Sequence, residues 1–151
     1  MSWTYKKKKI KSLDDFGKDI MGFVYCTTHI PTGKSYIGKK FLVHTQKRKL
    51  AKKDLKLYEG SPGRKPKYKI VSKESDWKTY YGSNKSLLEL LKTEDKSNFK
   101  REILHLCTSK KRLTYYEVKY QFIHEVLERP NEYFNDNILG KFFTRDFGDL
   151  N

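Results

Sequence analysis

Between Gly22 and Lys40, two runs of strand-forming residues flank one turn, and this pairing constrains the fold more than any other stretch of the chain. Val24, Cys26 and Ile37 have strand character, and Pro31-Thr32-Gly33 supplies the turn chemistry. With a loop from Ile30 to Gly33, His29 pairs with Lys34 and opposing residue numbers sum to 63. Tyr25 then faces Gly38, and Thr27 faces Tyr36. Side chains alternate along a strand, so Tyr25 and Tyr36 become diagonal neighbours on one face, roughly 7–8 Å apart between backbones. A one-residue change in the loop would send them to opposite faces. On spacing alone, both phenols read as ordinary strand residues.

The rest of the chain supplies partners for this hairpin. Phe99 to Cys107 reads as a third strand, with Ile103 and Leu104 inward. Gly82-Ser83-Asn84 reads as a helix start, and Leu87, Leu88, Leu90 and Leu91 give that helix its apolar side. Leu113, Tyr116, Tyr120, Ile123 and Leu127 step by three and four, which predicts a helix over 113–128 ended by Arg129-Pro130-Asn131. Trp77, Tyr80 and Tyr81 read as core, with a stacking platform as the alternative. The basic segment from His44 to Lys56 is expected to be helical, and Ser61 to Lys67 to be a loop. The order predicts an α+β domain: a small three-stranded antiparallel or mixed sheet flanked by helices. The expected organisation is a basic N-terminal arm over 1–20, then a single domain over 21–151 with a basic insertion around 44–75.

Charge narrows the function. The 151 residues carry a formal net charge of +15, and 15% of them are aromatic, enough large rings for one modest core. Such a field attracts a polyanion, nucleic acid first and an anionic membrane second. No apolar run approaches a membrane span, and the start, Met1 to Lys11, reads as basic without the apolar stretch of a signal peptide. Helix 113–128 is too acidic for an anionic-surface anchor. Cys26 and Cys107 read as free thiols of a reducing cytoplasm, and with His29, His44, His105 and His124 they make no zinc spacing.

Several blocks in order carry a resemblance. Phe23-Val24-Tyr25 stands eleven positions before Tyr36-Ile37-Gly38. Downstream follow Tyr80 to Asn84, a helix, Asn98 to Leu104, Tyr115 to Phe122, and Tyr133-Phe134-Asn135. From about residue 22 to 137 the chain resembles the GIY-YIG nuclease superfamily, and small phage-encoded endonucleases within it. The first triplet departs from the motif, with Gly22 one place early; the second matches in full.

The resemblance implies metal-dependent hydrolysis of DNA phosphodiesters, by nicking or double-strand cleavage; no separate sequence-reading module is visible in the residues, so the expected sequence preference is weak or short. That chemistry needs a group to take a proton from water, a metal ligand, and positive charge for the developing phosphorane oxygens. By resemblance Tyr36 stands on the base side and Tyr25 positions or relays, with nearby lysines expected to ease the high phenol pKa. Lys39 follows the motif, whereas strict alternation favours Lys40. The family's helical arginine falls at Gln46 here, so His44 and Arg48 are its candidate substitutes. Glu117 is the implied ligand for Mg²⁺ or Mn²⁺. Read without the resemblance, Thr114-x-x-Glu117 is a capping box with Leu113 and Val118 as its staple. Asn135 matches a late family asparagine and otherwise reads as a turn residue.

Arg64, Lys65, Lys67 and Lys69 surround Tyr68, so lysines could meet phosphates while bases stack on the ring. DNA is thus the expected partner, a homodimer would bring two sites to two strands, and the expected location is the cytoplasm of the host cell. The competing reading is a nucleic-acid-binding protein on the same fold with degenerate catalysis, supported by Gln46 and the altered first triplet.

Overall fold

The computed structural model describes residues 2–60, 62–63 and 66–147. In chain order the strands are β1 (Trp3–Tyr5), β2 (Lys8–Ile10), β3 (Gly22–His29), β4 (Lys34–Phe41), β5 (Val43–Lys49), β6 (Tyr68–Glu74), β7 (Phe99–Cys107), β8 (Asn137–Ile138) and β9 (Phe142–Phe143). The helices are α1 (Lys52–Lys56), α2 (Lys85–Thr93) and α3 (Lys110–Ile123). The chain divides into two compact units: Val43–Ser75 is one, and the segments on either side form the other.

The larger unit is built on a five-stranded sheet in the order β2-β1-β7-β3-β4. β1 runs parallel to β7, and the other neighbours are antiparallel, so the sheet is mixed. The central β3–β4 hairpin has the expected register, with Tyr25 opposite Gly38 and Thr27 opposite Tyr36. β7 occupies the expected span and carries a bulge between its pairings with Val24 and Tyr25. One face packs Phe23, Tyr25 and Ile103 against Trp3, Phe16 and Trp77. The other packs Val24, Ile37 and Cys107 against Leu113, Val126 and Leu127. Trp77 and Tyr81 are core residues, at 0% and 6% exposure. Cys26 and Cys107 are free.

Two expectations for this unit need correction. Residues 3–10 are not a free arm. Trp3 is buried, its indole N–H donates to the Trp77 carbonyl at 2.7 Å, and β1 extends the sheet along β7. The Lys6-Lys7 corner, with φ of 48° and 69°, lets two residues close that hairpin. Helix α3 starts four residues before Thr114, because Ser109 is its N-cap and accepts from the Arg112 N–H at 3.2 Å. The capping box at Thr114 therefore does not exist, and Glu117 is an interior helix residue. The helix also ends early: Glu125 has φ of 54°, and Ile123 is exposed rather than inward.

The smaller unit corrects a third expectation. His44 to Lys49 is a strand, not a helix. β5 pairs antiparallel with β6 along seven residues, from Val43 opposite Glu74 to Lys49 opposite Tyr68. The stretch has no 3.6-residue apolar period to hold a helix, and its strand partner lies about two dozen residues downstream.

Candidate active site

β4 ends the sheet, so among the described residues its outer N–H and C=O groups have no full strand to pair with. Side chains and a returning segment answer them instead. The Ser35 N–H donates to the Glu132 carbonyl at 2.9 Å, and the Phe134 N–H donates to the Ser35 carbonyl at 2.7 Å. Two residues on, the Ile37 N–H donates to Asn135 Oδ1 at 3.0 Å, and Asn135 Nδ2 returns a bond to the Ile37 carbonyl at 2.8 Å. Gln121 Nε2 reaches the same carbonyl at 3.0 Å. The next outward N–H, that of Lys39, faces the Glu117 carboxylate and helps to hold its charge. Thus the outer edge of one strand gathers Glu117 and Gln121 of α3 and Asn135 of the C-terminal segment.

Tyr36 leans over this edge from the sheet face. Its hydroxyl lies 2.9 Å from Ser83 Oγ, and its ring centroid is 6.2 Å from that of Tyr25. Gly38 makes the pair possible. A Cβ there would stand 2.7 Å from the Tyr25 hydroxyl and 2.9 Å from the Tyr36 ring, closer than atoms pack. Burial pushes both phenols above their ordinary pKa, Tyr25 furthest. The lysines therefore do not bring the phenols down: each stands protonated at neutral pH, as a hydrogen-bonding group.

The two lysines part company. β4 stays regular through Phe41, so alternation holds past Gly38. Lys40 faces the tyrosine side, with its ammonium over the Tyr80 ring at 4.0 Å and paired with Asp76. Lys39 faces α3, and its ammonium donates to Thr114 Oγ1 at 2.9 Å, one helical turn from Glu117. Desolvation pushes the Glu117 carboxyl up, and the Lys39 charge and N–H pull it partly back.

These groups border a polar cleft of about 360 Å³, lined among others by Tyr36, Ser83, Lys85, Glu117, Gln121, Asn135 and Asp136. Among the described residues no three His, Cys, Asp or Glu side chains gather at one point. The cleft instead offers oxygen donors around one half-buried carboxylate, a set that suits a hard cation keeping water and phosphate oxygens in its shell.

Sequence reasoning missed Gln121, Ser83, Lys85 and Asp136. Gln121 could have been found, because it stands four residues after Glu117 and so shares its helix face. Ser83 and Lys85 flank the N-cap Asn84, whose side chain accepts from the Leu87 N–H at 3.1 Å. Asp136 gave no signal beyond adjoining Asn135. Asn135 is not a turn residue: its carboxamide is held by Ile37, as a strand would be.

Other expected residues are elsewhere. His44 and Arg48 lie on β5 of the smaller unit, opposite Lys73 and Lys69, and the cleft of the larger unit is built without them. They share one face of a strand rather than a helical turn. Arg64 and Lys65 lie outside the described residues. Lys67 is exposed and accepts from the Leu50 N–H through its carbonyl. Lys69 is on β6, not in a loop, and its ammonium donates to Asp54 at 3.0 Å, which holds that carboxyl below its usual range.

The family model described as "Putative endonuclease segE, GIY-YIG domain" matches residues 3–138. The chain belongs to the GIY-YIG endonuclease family. The GIY-YIG match takes in β1 and β2 as well as the motif hairpin, α3 and Asn135, and it runs through the smaller unit. Neither a curated protein nor a solved structure matches the chain. Among the described residues no helix is long and apolar enough to cross a membrane.

Proposed function

We propose that this chain is a metal-dependent DNA endonuclease, and that its active site is the cleft at the outer edge of β4. The observation that carries the reading is the meeting of Tyr36 and Glu117 in one oxygen-lined cleft beside Lys39 and Lys85. Glu117 would hold Mg²⁺ or Mn²⁺, and Asp136 and Tyr36 line the same cleft. Bound there, such an ion would supply Lewis acidity to a phosphate and to an attacking water.

The chain's own residues do the rest. Hydrolysis forms a bond from water oxygen to phosphorus and breaks one phosphorus–ester oxygen bond. Tyr36, being protonated, cannot simply absorb the water proton; it would pass its own onward as it accepts one, through the exposed Ser83 hydroxyl to solvent, and the departing ester oxygen would take up a proton from solvent water. Tyr25, buried behind Gly38, fixes the Tyr36 ring. Lys39 and Lys85 supply positive charge to the phosphorane oxygens as point charges, without the bidentate geometry of arginine. Asn135 and Gln121 act through Ile37, holding the strand edge that aims Lys39 and Glu117.

The resemblance to small phage-encoded nucleases supports a phage origin and action in the host cytoplasm. A catalytically inert DNA-binding protein is the second reading, and it is favoured by the lack of arginine among the described residues lining the cleft. Supercoiled plasmid incubated with the chain, with and without Mg²⁺, separates them. Conversion to nicked or linear product only with the ion supports the nuclease. Binding without conversion supports the inert protein.

A further inference from the structure

We propose that the β5–β6 ribbon is a groove-reading element that inserts one face into the major groove of duplex DNA and gives the enzyme a sequence preference. Register and alternation place Thr45, Lys47, Lys49, Tyr68, Ile70 and Ser72 on that face. All six are exposed, and Ile70 and Tyr68 are 73% and 58% accessible. The opposite face is different: Val71 is half-buried there, and Lys69 is tied to Asp54 of α1. An isoleucine left bare at the middle of a ribbon, directly opposite a lysine, is a poor solvent residue and a good contact for a thymine methyl.

Charge and size name the occupant. Residues 43–75 hold eleven Lys and Arg against three Asp and Glu, a net +8 of the chain's +15. Seven paired residues extend about 20 Å at roughly 3.4 Å per residue. A two-stranded ribbon fits the B-DNA major groove, about 12 Å wide, whereas the deep, narrow major groove of RNA excludes side chains. The ribbon would thus read about six base pairs, at roughly 3.4 Å per step. Lysines 47 and 49 would meet phosphates or guanine edges, and Ile70 and Tyr68 would touch base edges. The inference rests on duplex DNA being the substrate, and it replaces the expectation of weak or short preference with a reading element inside the domain.

The test is a binding selection with the full chain in EDTA, so that no cutting is needed. Duplexes with a randomised centre are bound, recovered and sequenced. The wild-type chain is expected to enrich a motif about six base pairs long. Ile70→Gln with Tyr68→Gln should flatten the motif while leaving the salt slope in place. Lys47→Gln with Lys49→Gln should lower the slope of log affinity against log salt by about 1.8. Circular dichroism and thermal melting establish that each variant is folded, and Ile70→Thr keeps strand propensity should the glutamine variant not fold.

No enriched motif, or the same motif and slope in every variant, would overturn the proposal. So would a dimer that Ile70→Gln makes monomeric with its DNA profile intact, since the face would then bind a second copy. A chain that cuts nothing yet selects a ribbon-dependent motif would sink the nuclease reading and keep this one. Cutting that is indifferent to the ribbon variants, with an unchanged motif, would do the reverse.

Discussion

Asn135 holds both backbone groups of Ile37, accepting from its N–H at 3.0 Å and donating to its carbonyl at 2.8 Å. One side chain thus does the work of a neighbouring strand at the sheet edge that carries the cleft. Asn135→Ala leaves a buried N–H without a partner and should cost about 1–3 kcal/mol in urea unfolding. Gln121 still serves the carbonyl, so the fold should survive. Cleavage should fall further than stability explains, because Lys39 and Glu117 hang on the same edge. Full activity in a destabilised Asn135→Ala protein would confine this residue to folding.

Gly38→Ala tests the packing of the tyrosine pair. The added methyl would meet the Tyr25 hydroxyl at 2.7 Å, and the Tyr25 ring cannot withdraw, since it is almost wholly buried. Overpacking of this kind costs about 1–3 kcal/mol. The expected result is a lower melting temperature and a large loss of cleavage. An alanine variant with wild-type melting and cutting would show that the pair tolerates displacement.

The tyrosines should separate under mutation and pH. Tyr36→Phe loses only the Ser83 contact, so DNA binding should persist while the cleavage step slows. Tyr25 is buried, with its ring edge-on to that of Tyr80 at 5.9 Å, and Tyr25→Phe keeps that packing, so it should change stability by no more than about 1 kcal/mol. Burial raises the folded-state pKa of Tyr25, so above about pH 10 the unfolded chain loses protons the folded one keeps. Its contribution to stability is therefore whole below pH 10 and is lost as pH rises beyond it. Urea midpoints from pH 9 to 11 should fall less steeply in Tyr25→Phe. Parallel slopes would refute the buried phenol as their source.

How much of this was legible in the residues differs by element. The β3–β4 hairpin and its register were, because Pro31-Thr32-Gly33 fixes the loop and strand alternation does the rest. Glu117 was visible as a residue but not in its setting: Lys110, Lys111 and Arg112 look wrong for a first helical turn, yet Ser109 caps them. His44 to Lys49 misled for a physical reason. Sequence proximity suggests a helix, whereas the stabilising contacts of a ribbon come from β6. The N-terminal lysines concealed β1, whose place in the sheet depends on one indole, Trp3, meeting Trp77. Gln121 and Asp136 become site residues only when the β4 edge is seen to need partners.

Lys39 and Lys40 should differ in kind. Lys39→Met removes the charge beside Glu117 and should push that carboxyl still higher while slowing cleavage strongly. Lys40→Met loses a contact with Tyr80 and a pair with Asp76, which is 68% exposed, so about 0–1 kcal/mol of stability is at stake. Single-turnover rates for the two variants decide the matter. A greater loss in Lys40→Met would move the site to the tyrosine face.

Glu117 carries the central claim, and Glu117→Gln compared with the wild type on one labelled duplex, with and without Mg²⁺, tests it most directly. Desolvation raises the folded-state pKa of this carboxyl, so its ionisation in the fold is a burden that grows as pH climbs from the unfolded value of about 4.3 through the folded one. Without metal at neutral pH, Glu117→Gln should therefore melt at the same temperature or higher. Mg²⁺ should raise the melting temperature of the wild type alone, and only the wild type should cut, while both bind the duplex. Cutting by Glu117→Gln at the wild-type rate, or a wild type whose melting and cutting ignore Mg²⁺, would contradict the assignment of this cleft as the metal-dependent active site.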